Sequence, residues 1–93
     1  MPSFRVTLIV GALAPGVAPT RVLPAAKEAA ESLAVVEATD VQVVAGQARL
    51  IVRFAAESRE IATQIGEHVA STVSSIATVA SWRVTERVKS AWL

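Results

Sequence analysis

Cysteine is absent from this 93-residue chain. That excludes disulfides, thiolate metal sites, iron–sulfur clusters and cysteine nucleophiles, and a cytoplasmic setting is expected. Lysine is scarce, with only Lys27 and Lys89, and His68 is the single histidine. Most transition-metal sites use several His or Cys ligands, and no Glu-x-x-His or His-x-x-x-His spacing occurs, so no metal and no cofactor is expected. Charge of either sign is thin. Charged residues make up 18% of the chain, against about 25% in ordinary soluble domains. The formal net charge is only +1, which argues against bulk nucleic acid as a partner. No run approaches the roughly 20 apolar residues of a membrane span, so no membrane partner is expected. Phosphate-loop and serine-elbow motifs are also missing.

What is present is apolar. Hydrophobic residues reach 53% and the mean hydropathy is +0.50. Much of the excess is Ala and Val, which bury little area each. A chain of this length makes one domain, residues 1–93, and buries roughly two-thirds of its unfolded surface. A small domain with so few charges is expected to hide further apolar surface by self-association, as a homo-oligomer. The positive charge is carried mostly by arginine, whose planar guanidinium suits fixed recognition of carboxylate or phosphate.

Arg5 followed by the apolar Val6–Ala14 has the outline of a targeting segment. The run is short, broken by Gly11, and alternates as a strand does. Phe4, Val6, Leu8 and Val10 fall on one face; Arg5, Thr7 and Ile9 fall on the other. Residues 11–19 read as a loop. A helix follows, capped at Thr20 or Leu23, with Pro24 in its first turn and its end near Ala34. Val22, Ala26, Ala29, Ala30 and Leu33 form its apolar stripe. Residues 35–44 and 48–54 read as a hairpin turning at Gly46-Gln47. That register sets Val41 against Val52, Val43 against Leu50 and Thr39 against Phe54 on the core face. On the other face it sets Asp40 against Arg53, Gln42 against Ile51 and Val44 against Arg49. Ser58 is a helix N-cap with Glu60 in the first turn. Ile61, Ile65, Val69, Val73 and Ile76 then recur at helical spacing. Residues 79–88 form the last strand, with Trp82, Val84 and Val88 on the core face and Arg83, Thr85 and Arg87 opposite. The tail 89–93 ends in Trp92-Leu93, which must bury somewhere.

The resulting order β-α-β-β-α-β resembles the ferredoxin-like superfold. The resemblance implies an α+β sandwich: a four-stranded antiparallel sheet in the order 4-1-3-2, with both helices on one face. The other face is then open. It collects Arg5, Arg49, Ile51, Arg53, Arg83 and Arg87, the candidate ligand-binding or interface residues. Phe4, Phe54 and Trp82 have core parity, so no aromatic is expected there. RNA-binding domains of this topology stack bases on such aromatics, which makes nucleic acid unlikely. Three uses of the face remain: plain solvation, a homo-oligomer interface, or recognition of an anionic small molecule. Proton-transfer chemistry has only weak candidates. His68 sits at the edge of the second helix's buried stripe. Glu86 has core parity, where burial would suit an acid or base, unless the strand frays and leaves it wet. Gly66 either permits close packing on a neighbouring helix or is tolerated.

Overall fold

The computed structural model describes all 93 residues. Strand β1 spans Ser3–Leu13, helix α1 Val22–Glu31, and the hairpin strands β2 and β3 Val36–Val44 and Gln47–Ala55. Helix α2 spans Arg59–Ser74, strand β4 Ala77–Val88 and strand β5 Ala91–Trp92. The sheet is antiparallel, in the order β2-β3-β1-β4-β5. The fold is α+β, with two helices packed on one face of a curled five-stranded sheet. The first four strands lie in the expected order, but the sheet has five strands rather than four.

Period-two alternation in β1 builds the core. Phe4, Val6, Leu8 and Val10 are buried, as are Leu50, Val52 and Phe54 of β3. Phe4 and Phe54 stack with ring centroids 6.2 Å apart. Helix α1 answers with Val22, Ala26, Ala29 and Ala30, and α2 with Ala62, Ile65, Val69, Ala70 and Val73. Each fully buried Val, Leu or Phe side chain contributes about 1.5–3 kcal/mol. Alanine lines α1, so the helices seat low on the sheet.

Helix α2 opens as its sequence predicts. The Ser58 hydroxyl accepts from the Ile61 amide at 3.2 Å. Its buried stripe is turned from the expected one: Ile61 is 41% exposed, and the helix ends at Ser74, before Ile76. Helix α1 has no side-chain cap, because a 3-10 turn at Pro19–Arg21 leads straight into it. It stops at Glu31, and Leu33, expected in the stripe, lies past its end and is 55% exposed. Strand β1 runs on to Leu13, which pairs with Ala77, so the loop before the 3-10 turn shrinks to residues 14–18. Register shifts after Ile9 and Val10 keep the extension aligned with β4.

The hairpin differs from expectation by two residues. It turns at Ala45-Gly46, with φ of 52° and 79°. Both central residues take the left-handed region, as a primed turn requires. Val41 therefore opposes Leu50, Asp40 opposes Ile51, and Val44 opposes Gln47. A two-residue shift preserves parity, so every side chain keeps its expected face while every partner changes.

Gly66 packs on the sheet, not on a neighbouring helix. A methyl group there would lie 2.6 Å from Val84 Cγ2, 3.1 Å from Trp82 Cζ3 and 3.4 Å from Val6 Cγ2. Gly66→Ala gains about 1 kcal/mol of helix propensity but incurs about 1–3 kcal/mol of overpacking, for a net loss of about 1 kcal/mol in urea unfolding. A raised midpoint would show that Val84 moves aside freely. Ala45→Asn is expected to stabilise the hairpin by about 0.5–1 kcal/mol, because Asn tolerates the left-handed conformation that Ala resists. The check is a melting temperature a few degrees higher.

Candidate functional site

The open face is an array of cross-strand rows. Reading from β2 to β4, one row is Ala38, Arg53, Arg5, Thr85. The next is Asp40, Ile51, Thr7, Arg83, and the third is Gln42, Arg49, Ile9, Ser81. Arg87 follows further along β4, opposite Trp92 of β5. The six candidate residues thus do share one face, as their parity in the sequence requires.

Arg5 and Arg53 stand directly opposite each other, a like-charge pairing that costs a few tenths of a kcal/mol or more. Two groups offset it. Glu37 Oε1 accepts from Arg53 Nε at 2.9 Å and from the Ser3 hydroxyl at 2.8 Å. Trp92 lies against both cations, its ring centre 4.0 Å from Arg5 Cζ and 5.3 Å from Arg53 Cζ. The ion pair is a third exposed on each side, so it contributes about 0–1 kcal/mol. The aromatic stack adds about 0.5–1 kcal/mol.

Both offsets correct expectations. Arg53 pairs with Glu37 rather than Asp40, because the register shift between Val36 and Ala38 leaves Glu37 as an unpaired extra residue. Asp40 instead accepts from its neighbours, the Val41 amide and the Gln42 side chain. The open face also carries an aromatic after all. The chain reverses at Lys89, which takes φ 56°. Leu93 then exchanges two 2.8 Å backbone hydrogen bonds with Glu86, and Trp92 is laid over the arginines. The only signal in the sequence was an aromatic near the chain end with no parity partner. A lysine gave no hint of the turn, since glycine or asparagine is the usual left-handed residue.

The proton-transfer candidates lie elsewhere. Glu86 neither frays nor is sealed in the core. It is half-buried, and its Oε1 sits 3.7 Å from Arg59 Nη2, which also donates to the Leu93 carbonyl at 2.8 Å. His68 is exposed on α2, with Nε2 3.5 Å from Ser32 Oγ. That hydroxyl donates its proton to the Ala29 carbonyl at 2.7 Å, and the imidazole stands only at the outer limit of hydrogen-bond distance from it. Neither residue joins the arginine array. No three of the His, Asp and Glu side chains converge.

Three surface grooves bear on function. The largest, about 570 Å³, is apolar and lies on the helix side, among Leu33, Val35, Ala55, Ile61 and Ile65. Its only charged side chains are Glu31 and Glu57, which do not suit an anionic ligand. Two lie on the open face. One, about 330 Å³, is lined by Thr7, Ile9, Arg49, Ser81, Trp82 and Arg83. The other, about 160 Å³, lies between Arg5, Arg53 and Asp40. In the first, Arg49 Nε is buried without a hydrogen-bond partner, an arrangement that costs about 1–3 kcal/mol.

The Arg5–Trp92 contact is open to a double-mutant cycle. Arg5→Ala and Trp92→Ala are expected to couple by about 0.5–1 kcal/mol in urea unfolding, and zero coupling would mean the stack stabilises nothing. Comparison with protein-family models, curated proteins and solved structures finds no match for this chain.

Proposed function

We propose that this chain is a small interaction or regulatory module of ferredoxin-like βαββαβ type, extended by a fifth strand, that self-associates in the cytoplasm through strand β2. The strand order β4-β1-β3-β2 and the placement of both helices on one face support the fold reading.

One observation carries the association. Strand β2 pairs only with β3, so its outer edge is an unpaired row of backbone groups. Natural edges are blunted by charge, proline or cover. Here Glu37 and Asp40 guard only the first half. Beyond Asp40 the strand reads Val41, Gln42, Val43, Val44. Val41 is 45% exposed, Val43 73% and Val44 41%. Val41 and Val43 have core parity, yet they are not covered.

A second copy fits this edge. Antiparallel pairing about a two-fold axis at Gln42 would set Val41 against the partner's Val43, and the converse. Four valines would be buried on one face and two glutamine amides would meet on the other. Each valine contributes about 1–2 kcal/mol, and association costs at least about 4 kcal/mol, so dimers at micromolar concentration require that the backbone hydrogen bonds formed along the paired edge supply the remainder.

Ligand binding of the dimeric α+β barrel type, directed at an anionic small molecule, is the second reading. It draws on the arginine-lined grooves of the open face. His68 and Glu86 stand apart from those grooves, which favours binding over catalysis.

Sedimentation velocity tests the association. The wild type is expected as a dimer or larger species at tens of micromolar, and Val41→Glu with Val43→Lys as a monomer. A wild-type monomer sinks the proposal. Persistent association in the double variant moves the interface away from β2.

A further inference from the structure

We propose that the groove between Arg49 and Arg83 on the open face binds the phosphoryl group of a small molecule. The proposal goes beyond self-association and does not depend on it.

The arginines of the sheet are unequally occupied. Arg5 has Trp92, and Arg53 has Glu37 and Trp92. Arg59, at the start of α2, has Glu86 and the Leu93 carbonyl, and Arg87 donates to the Lys89 carbonyl at 3.1 Å. Arg49 and Arg83 have no ion pair, hydrogen bond or aromatic stack within the chain. They line the same groove, from β3 and β4 on either side of β1.

The register explains the geometry. Arg49 opposes Ile9, and Ile9 opposes Ser81; Arg83 opposes Thr7 on the adjacent row. The two arginines therefore stand on adjacent rows, one on each side of the central strand, and Thr7 and Ser81 line the same groove between them. None of the residues lining it is acidic.

Arg49 Nε is the sharper observation. It is buried and makes no hydrogen bond in the protein. A charged donor removed from water calls for an acceptor; Nε itself has almost no accessible surface, so an anion seated in the groove would meet the outer nitrogens of the Arg49 guanidinium and reach Nε by a small shift of that side chain. The set offers two guanidinium forks and two hydroxyls. A carboxylate has two oxygens to meet them; a phosphoryl group has three, spread tetrahedrally. The donor set therefore favours phosphate. A groove of about 330 Å³ admits a small organic phosphate, with Ile9 as an apolar wall.

The test is an NMR titration of the full chain that follows the arginine Nε–H signals. The probes are inorganic phosphate, acetate and chloride at matched ionic strength. Phosphate is expected to shift Arg49 and Arg83 saturably, while Arg21, on the 3-10 turn, stays still. Arg49→Gln and Arg83→Gln should each weaken binding about tenfold, and Arg49→Lys should weaken it too, because it keeps the charge but loses the fork. Arg21→Gln should change nothing. An equal response to chloride, or shifts common to all arginines, would mean a diffuse ion atmosphere and overturns the site. Acetate as strong as phosphate overturns the phosphoryl assignment.

Discussion

Strand β1 is the constraint on which the other elements depend. It lies in the middle of the sheet, bonded to β3 on one side and β4 on the other. Its side chains alternate without interruption from Phe4 to Val10, and the buried half is apolar throughout. A one-residue slip against either neighbour would drive Arg5 into the core and Phe4 into water, so the register cannot drift. Both helices then have one available surface. The same alternation leaves Arg5, Thr7 and Ile9 at the centre of the open face, between the arginines of β3 and β4.

The core built on β1 is thin. Alanine dominates the inner face of α1, and Gly66 lets α2 come close to Val6, Trp82 and Val84. Close seating compensates for small side chains, because packing depends on contact distance more than on volume. The layer does not extend over the whole sheet. Helix α1 ends at Glu31, and the distal half of the β2–β3 hairpin projects past helical cover. Val41 and Val43 are apolar by parity but exposed by position. An apolar composition thus ends up as an uncovered strand edge, not a larger core.

The open face manages a concentration of like charge in two different ways. At one end, the extra residue Glu37 and the returning Trp92 satisfy Arg5 and Arg53 internally. At the other, Arg49 and Arg83 have no such partner, although they share a groove with two hydroxyls. The chain invests its only exposed-face carboxylate pair and its terminal aromatic at the first end. This division separates a half of the face whose cations are satisfied internally from a half whose cations are not.

Parity and element order were legible in the residues, because both depend on local period and on turn chemistry. Away from the bulges, the faces of the β1, β2, β3 and β4 side chains follow from alternation; Glu37, which alternation would put on the face of Thr39, does not. The Ser58 cap follows from the hydroxyl's reach to an amide three residues on. Partners were not legible. Shifting the hairpin turn from Gly46-Gln47 to Ala45-Gly46 moved Arg53 away from Asp40 without changing a face, and the bulge at Glu37 then turned that carboxylate onto the open face beside Arg53. The fifth strand arose at a lysine in a left-handed conformation, which only the pull of tertiary pairing makes tolerable. How far the helices cover the sheet was likewise a three-dimensional outcome, since Val41 and Val43 have the same parity as buried Val52. By itself the sequence determined which atoms could meet water. The tertiary structure decided which of them do, because pairing register and helix length are set by contacts between residues far apart in the chain.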